Sequence, residues 1–206
     1  VGEVTTEGRN RTGVAALRRT LDVQIGDPIL RVDLNRMQQQ IAQIGWVSEV
    51  VVTRQLPDRL HIRIVEREPF ARWQVQGRTA LIDRDGNVIL SDVRARFARL
   101  PRLVGPEANK RAAALFESLE AAPELLQQVK TASLIRQRRW DLGLANGTIV
   151  HLPEVDTEGA WLRFSELEQR DQLLKRDYQQ IDLRVPGRVI VGMPPPPPPI
   201  EVARET

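Results

Sequence analysis

The sequence predicts an α+β fold. A small β-α-α-β-β domain over residues 1–68 is followed by a mixed, mainly antiparallel β domain with flanking helices over 69–193 and a proline-rich tail over 194–206. Three observations carry this reading. An aspartate-capped amphipathic helix runs into the strand-turn-strand segment "IGWVSEVVVTRQLPDRLHIRIVERE". From Phe70 onward, short apolar runs alternate with glycine-centred turns. Finally, Pro194 to Pro199 cannot donate a single backbone hydrogen bond, so the sheet must end there.

In chain order, Val1 to Thr6 reads as a strand. A first helix follows, with Thr12 as N-cap and Val14, Leu17 and Leu21 at helical spacing. The second helix takes Asp33 as N-cap, places Leu34, Met37, Ile41 and Ile44 on one face, and stops at Gly45. Pro57-Asp58 suits the centre of a type I turn joining two strands. On the return strand Leu60, Ile62 and Ile64 alternate with His61 and Arg63, as expected of a sheet with one covered face, whereas Val50, Val51 and Val52 are consecutive on the outgoing strand. Glu68-Pro69 closes this domain, because the residue before a proline is pushed into extended backbone.

The second domain opens with strands in "FARWQV", "TALID" and "NVIL", turned at Gln76-Gly77 and at Asp85-Gly86. A helix in "GPEANKRAAALFESLEAA" ends near Pro123. Two strands, one within "TASLIRQRRWDLGL" and one in "TIVHL", flank the Asn146-Gly147 turn. A helix over "TEGAWLRFSELEQRDQLLKRD" precedes a last pair of strands, "YQQIDLR" and "RVIVGM", separated by Val185-Pro186-Gly187. The six prolines form either a ligand for a proline-binding domain or a stiff spacer before "IEVARET".

Composition narrows the function classes. The formal net charge is +3, and all of the 30 basic residues except Lys110, Lys130 and Lys175 are arginine, so the high pI of 9.9 reflects arginine and not a polycation. Neither half concentrates the charge, and nucleic acid is not an expected partner. The arginine runs Arg94, Arg96, Arg99, Arg102 and Arg136, Arg138, Arg139, with Phe97 or Trp140 available for stacking, are interrupted by apolar residues and read as solvated faces. With no cysteine there is no disulfide or thiolate site. His61 and His151 lie far apart without metal-ligand spacing and read as polar, solvent-facing strand positions; no cofactor is expected. "DRDGN" from Asp83 lacks the spacing of a calcium loop and reads as a hairpin turn. Nucleophile-elbow and phosphate-loop signatures are missing, and the chain reads as a non-enzyme. No apolar run approaches the ~18–20 residues of a membrane span.

What remains is a strand edge. Arg188 to Met193 is followed at once by proline, so nothing after it can cover its open side, and an incoming strand would find main-chain hydrogen bonds there. The same residues also fit an internal strand of a closed core.

The segment "GDPILRVDLNRMQQQIAQIGWVSEVVVTRQLPDRLHIRIVEREPFARWQ", running into "ALIDRDGNVI", resembles the POTRA domain and following segment of the FtsQ/DivIB cell division proteins. The similarity extends more loosely through "RRWDLGLANG" and "IDLRVPGRVIV". It implies a single-pass inner-membrane protein whose transmembrane helix precedes this chain, with a periplasmic part of POTRA and β domain at the division septum. The family resemblance also implies a non-enzymatic scaffold that joins early division proteins to an FtsB/FtsL pair and, through it, to septal peptidoglycan synthesis, with an FtsB strand added to the final strand. Matched residue by residue, the implied partner-binding set is Arg184, Val185, Gly187, Arg188, Val189, Ile190, Val191, Gly192 and Met193, with Arg138 beside Trp140 as a flanking contact. Val185 and Met193 stand where some relatives carry aromatics. Two rival readings remain: a POTRA module for outer-membrane protein assembly or secretion, disfavoured because no barrel-like strand series follows, and a cell-wall-active enzyme.

Overall fold

The computed structural model describes residues 1–91, 93 and 95–192, so Arg94, Met193 and the six prolines lie outside the described residues. The chain forms two compact units, Val1–Leu100 and Pro101–Thr206.

In the first unit, β1 (Glu3–Glu7), α1 (Val14–Thr20), α2 (Leu34–Ala42), β2 (Val47–Gln55) and β3 (Arg59–Glu66) follow the predicted order. β3 is central, parallel to β1 and antiparallel to β2. Its Leu60, Ile62 and Ile64 are buried against Leu17, Met37 and Ile41 from the two helices, which is why both helices need an apolar stripe. The three consecutive valines sort themselves by the pleat: Val50 and Val52 are buried, whereas Val51 is 52% exposed. Asp33 caps α2 as expected, accepting the Arg36 N–H at 3.0 Å.

The Leu56–Pro57 peptide between β2 and β3 is cis. Two local expectations are corrected. Thr12 is not an N-cap: α1 begins at Val14 after Gly13, and the preceding N–H groups are taken by Glu66 at the end of β3. Its carboxylate accepts from the backbone of Asn10 (2.9 Å), Arg11 (2.8 Å) and Thr12 (2.6 Å). Burial alone would push this carboxyl up, but the neighbouring Thr12 hydroxyl and the hydrogen bonds from the Arg11, Thr12 and Asn10 backbone outweigh it and hold the pKa at about 2. Because the folded value is depressed below the usual 4.5, the stabilisation is present above that value and is lost as pH falls through about 2. Glu66→Gln is expected to lower the stability of this unit by about 1–3 kcal/mol near neutrality and to flatten its acid limb, read by urea denaturation across pH.

Gly45 does not end α2 in a left-handed cap; the helix closes at Gln43. Gly45 is needed for close approach, since a Cβ there would stand 2.2 Å from the Ile89 carbonyl oxygen. Ile89 lies on β6 (Val88–Leu90), the third strand of an antiparallel meander with β4 (Ala71–Val75) and β5 (Arg78–Ile82). The β4–β5 turn puts Gln76 and Gly77 both at positive φ, the primed geometry that suits hairpin twist. Asp83 organises the next turn, accepting the Asn87 N–H at 2.7 Å and the Arg67 guanidinium at 2.6 Å. Gly45→Ala is expected to destabilise the first unit by about 1–3 kcal/mol, measured as a lower urea midpoint at unchanged slope.

The second unit contains β7 (Arg102–Val104), α3 (Ala108–Leu119), α4 (Pro123–Leu126), β8 (Val129–Ile135), β9 (Arg139–Leu144), β10 (Ile149–His151), α5 (Thr157–Asp171), β11 (Gln180–Asp182) and β12 (Ile190–Gly192). Its strands are ordered β12-β11-β10-β9-β8-β7, with β7/β8 and β10/β11 parallel and the rest antiparallel. "TASLIRQRRWDLGL" therefore lies in two strands, not one, hinged where Arg136 and Gln137 both take positive φ. β7 is an additional strand. α5 stops at Asp171, and Leu173 and Leu174 fall in a separate 3-10 turn. Trp161 and Phe164 of α5 are fully buried and packed edge to face at 5.8 Å, with Trp161 Nε1 donating to the Leu119 carbonyl of α3 at 3.1 Å.

Candidate docking edge

The terminal strand β12 pairs with β11 alone: Gln180 faces Gly192, Ile181 faces Val191 and Asp182 faces Ile190. Among the described residues no strand lies on its other side. The hydrogen-bond phase of β11 tells which backbone groups are free. Leu183 donates to the His151 carbonyl at 3.0 Å, and the Gln179 carbonyl accepts from Ile149 at 2.9 Å, which puts Ile181, between them, in the phase that bonds to β10. Gln180 and Asp182 are then left to bond Gly192 and Ile190, and the Gly192 carbonyl does turn inward, accepting from Gln179 at 3.1 Å. By alternation the N–H and C=O of Val191 point outward.

The approach to this edge is rigidly built. Arg188 donates to the Val185 carbonyl at 3.1 Å, with Pro186 and Gly187 at the turn centre and Gly187 at φ 70°, a type II turn in which only the glycine position requires positive φ. Asp182 accepts the Arg184 N–H at 2.9 Å and its Nε at 2.8 Å. The Arg184 guanidinium thereby holds the Asp182 carboxyl below the usual carboxylate range. Arg184, Val185, Gly187, Arg188, Ile190 and Val191 are exposed, whereas Val189 and Gly192 are half-buried. Arg138 is exposed in the β8–β9 turn, separated from β12 by the two strands β10 and β11 but at the same end of the sheet as Arg184 and Arg188. Met193 lies outside the described residues.

The other candidates have local partners. His61 stands 3.0 Å from Thr5 Oγ1 and 3.2 Å from Glu7 Oε2 on the outer face of the three-stranded sheet. Arg96 lies over the Phe97 ring at 4.7 Å. His151 is not the solvent-facing residue that the strand pattern predicts: its side chain is 18% exposed, and Nδ1 stands 2.9 Å from Asp141 Oδ1. That contact lies within ion-pair distance but off the geometry of a hydrogen bond, leaving both atoms buried and unbonded. Sequence reasoning missed this pair because register between separate strands, and no local motif, brings it together. No helix among the described residues is long and apolar enough to cross a membrane.

Comparison with known proteins covers both units. The model described as "POTRA domain, FtsQ-type" matches residues 1–67, and that described as "Cell division protein FtsQ/DivIB, C-terminal" matches residues 71–184. Cell division protein FtsQ of Caulobacter vibrioides is 34% identical over 188 residues, 91% of this chain and 62% of the relative. The Zymomonas mobilis protein of the same name is 41% identical over 163 residues, 78% of this chain and 51% of the relative. The Rhizobium meliloti one is 32% identical over 195 residues, 95% and 63%. The chain thus spans between about half and two thirds of the length of these relatives. A solved structure of the major extracytoplasmic domain of DivIB from Geobacillus stearothermophilus aligns with TM-score 0.34 and 14% identity over 52% of this chain and 97% of that one.

Proposed function

The chain belongs to the FtsQ/DivIB family of cell division proteins, and from that premise we propose that it is a non-enzymatic scaffold of the division machinery that receives a strand of an FtsB-like partner on the outer side of β12. The observation carrying this reading is that, among the described residues, β12 pairs with β11 alone, which by alternation leaves the N–H and C=O of Val191 outward. Backbone pairing there supplies affinity, and exposed Val185, Arg188 and Ile190 around it supply selection. In this reading Arg184, Val185, Gly187 to Gly192 and Met193 form the docking segment with Arg138 as a flanking contact. Residues 1–68 and 69–193 act as a POTRA domain and a β domain, with residues 194–206 as a tail.

The remaining proposals follow from family membership: an inner-membrane anchor outside this chain, a periplasmic location at the septum, and a link through FtsB and FtsL to septal peptidoglycan synthesis. In this reading the short strand, with Val185 and Met193 in place of aromatic side chains, leaves the burden of binding to the main chain, since aromatic anchors ordinarily dominate interface energy. The test is calorimetric titration of the chain with the periplasmic part of FtsB. Saturable one-to-one binding is expected, and no heat or complex at protein concentrations up to about 100 μM would contradict the reading; that ceiling corresponds to about 5.5 kcal/mol of binding.

A further inference from the structure

One face of the second unit's sheet carries a row of ionisable residues that leads to the docking strand. Asp141 on β9 is in register with His151 on β10, His151 with Asp182 on β11, and Asp182 with Ile190 on β12. Adjacent strands in register present paired side chains on the same face, so the four form a line across the sheet. The opposite face carries Leu142, Val150 and Ile181, all fully buried.

The two ends of this row differ in their bonding. At the β11 end Asp182 is satisfied, clamping the N–H and guanidinium of Arg184 where the chain turns toward β12. At the β9 end Asp141 Oδ1 and His151 Nδ1 are 2.9 Å apart, buried and without a hydrogen bond, and Arg139 Nε, two residues before Asp141, is also buried and unbonded. Buried polar atoms are ordinarily paired, so three orphans in one row call for an explanation. The charged groups on this face around His151 are Arg139 and Asp141 on β9, Asp182 on β11 and Arg184 just beyond it; β8 contributes Ser133 and β12 contributes Ile190, neither charged. His151 therefore stands between two carboxylates, and an imidazolium there would face an anion on each side. A small rotation of the ring would also turn its N–H onto Asp141.

We propose that the row Asp141–His151–Asp182–Arg184 is a proton-operated lock on the docking edge: a proton on His151 ties β10 to its neighbours and, through Asp182 and its Arg184 clamp, firms β11 and β12 for strand addition. The lock rests on the reading of β12 as the docking strand. β10, β11 and β12 are each three residues long, so few ladder bonds hold the edge and one added ionic contact shifts its opening measurably. Histidine changes charge between about pH 5 and 8. A charged ring between Asp141 and Asp182 gains ionic contacts that the neutral ring lacks, so the edge is firmer at pH 5.5 than at pH 8.

The direct test needs no partner. Amide exchange of Ile190 and Gly192, whose N–H groups face β11, is measured by NMR at pH 5.5 and pH 8 and corrected for intrinsic rates. In the natural sequence the protection factors are expected to rise about fivefold at the lower pH. His151→Gln removes the dependence. Equal protection at the two pH values in the natural sequence, or a dependence that persists in His151→Gln, overturns the lock. A second arm titrates the periplasmic part of FtsB at both pH values. Binding that is unaffected by pH while exchange responds shows that the lock does not gate docking and overturns its regulatory role. Complete absence of binding while exchange responds instead overturns the docking reading and leaves the lock standing.

Discussion

Val191→Pro is expected to weaken binding of the periplasmic part of FtsB by about 10- to 100-fold while the protein stays folded. The outward Val191 N–H is the donor that an added strand would use, and proline removes it, leaving the partner's carbonyl unpaired at a cost of about 1.4–2.7 kcal/mol. Because Val191 makes no bond to β11 through that N–H, the substitution leaves the ladder with Gln180 and Asp182 intact, and proline is tolerated on the solvent side of an edge strand. Val191→Ala keeps the donor and is expected to change affinity by no more than about threefold. Ile190→Pro is a poorer probe, since the Ile190 N–H faces β11 and its loss would loosen the sheet itself. Calorimetry on the two Val191 variants, with thermal unfolding to verify the fold, separates main-chain from side-chain recognition. Equal affinities for the two variants would contradict strand addition.

Trp161→Ala is expected to destabilise the second unit by about 3–5 kcal/mol, enough to unfold a marginal domain. Its ring is fully buried between α5 and α3, and its Nε1 satisfies the Leu119 carbonyl at the last turn of α3. Truncation leaves a cavity and removes one of the two hydrogen bonds that the Leu119 carbonyl accepts, the other coming from the Ala122 N–H at 3.1 Å. Trp161→Phe retains most of the ring but not the donor, and about 0.5–1.5 kcal/mol is expected to be lost. Urea denaturation of the natural sequence and both variants reads the two contributions. A cost below about 1 kcal/mol for Trp161→Ala would mean that the helices do not depend on this contact. Since the second unit carries β12, the alanine variant is also expected to lose partner binding at temperatures where it unfolds.

Much of the first unit was legible because its signals are local. Asp33 caps α2 through its own side chain, and Met37 and Ile41 lie on the buried stripe that the spacing predicts. Departures arose where a residue's role is set from a distance. Glu66 takes over the capping that Thr12 would have supplied, and Gly45 is demanded by the Ile89 carbonyl rather than by a helix end. In the second unit the Arg136–Gln137 turn was illegible because neither residue favours positive φ, so one apolar stretch concealed two strands. The parallel pairing of β10 with β11 could not be read either, since α5 lies between them in the chain and register is decided by packing. The candidate edge itself was legible in outline from the prolines beyond it. Its hydrogen-bond phase, which singles out Val191, required the ladder on the inner side.

Amide exchange at Val191 itself tests the central claim most directly. In the free protein this N–H is expected to exchange as an open edge group, and on saturation with the periplasmic part of FtsB its protection is expected to rise at least tenfold, as it enters a new ladder. If the partner binds and the Val191 amide exchanges as fast as before, the partner docks elsewhere and strand addition at β12 is wrong.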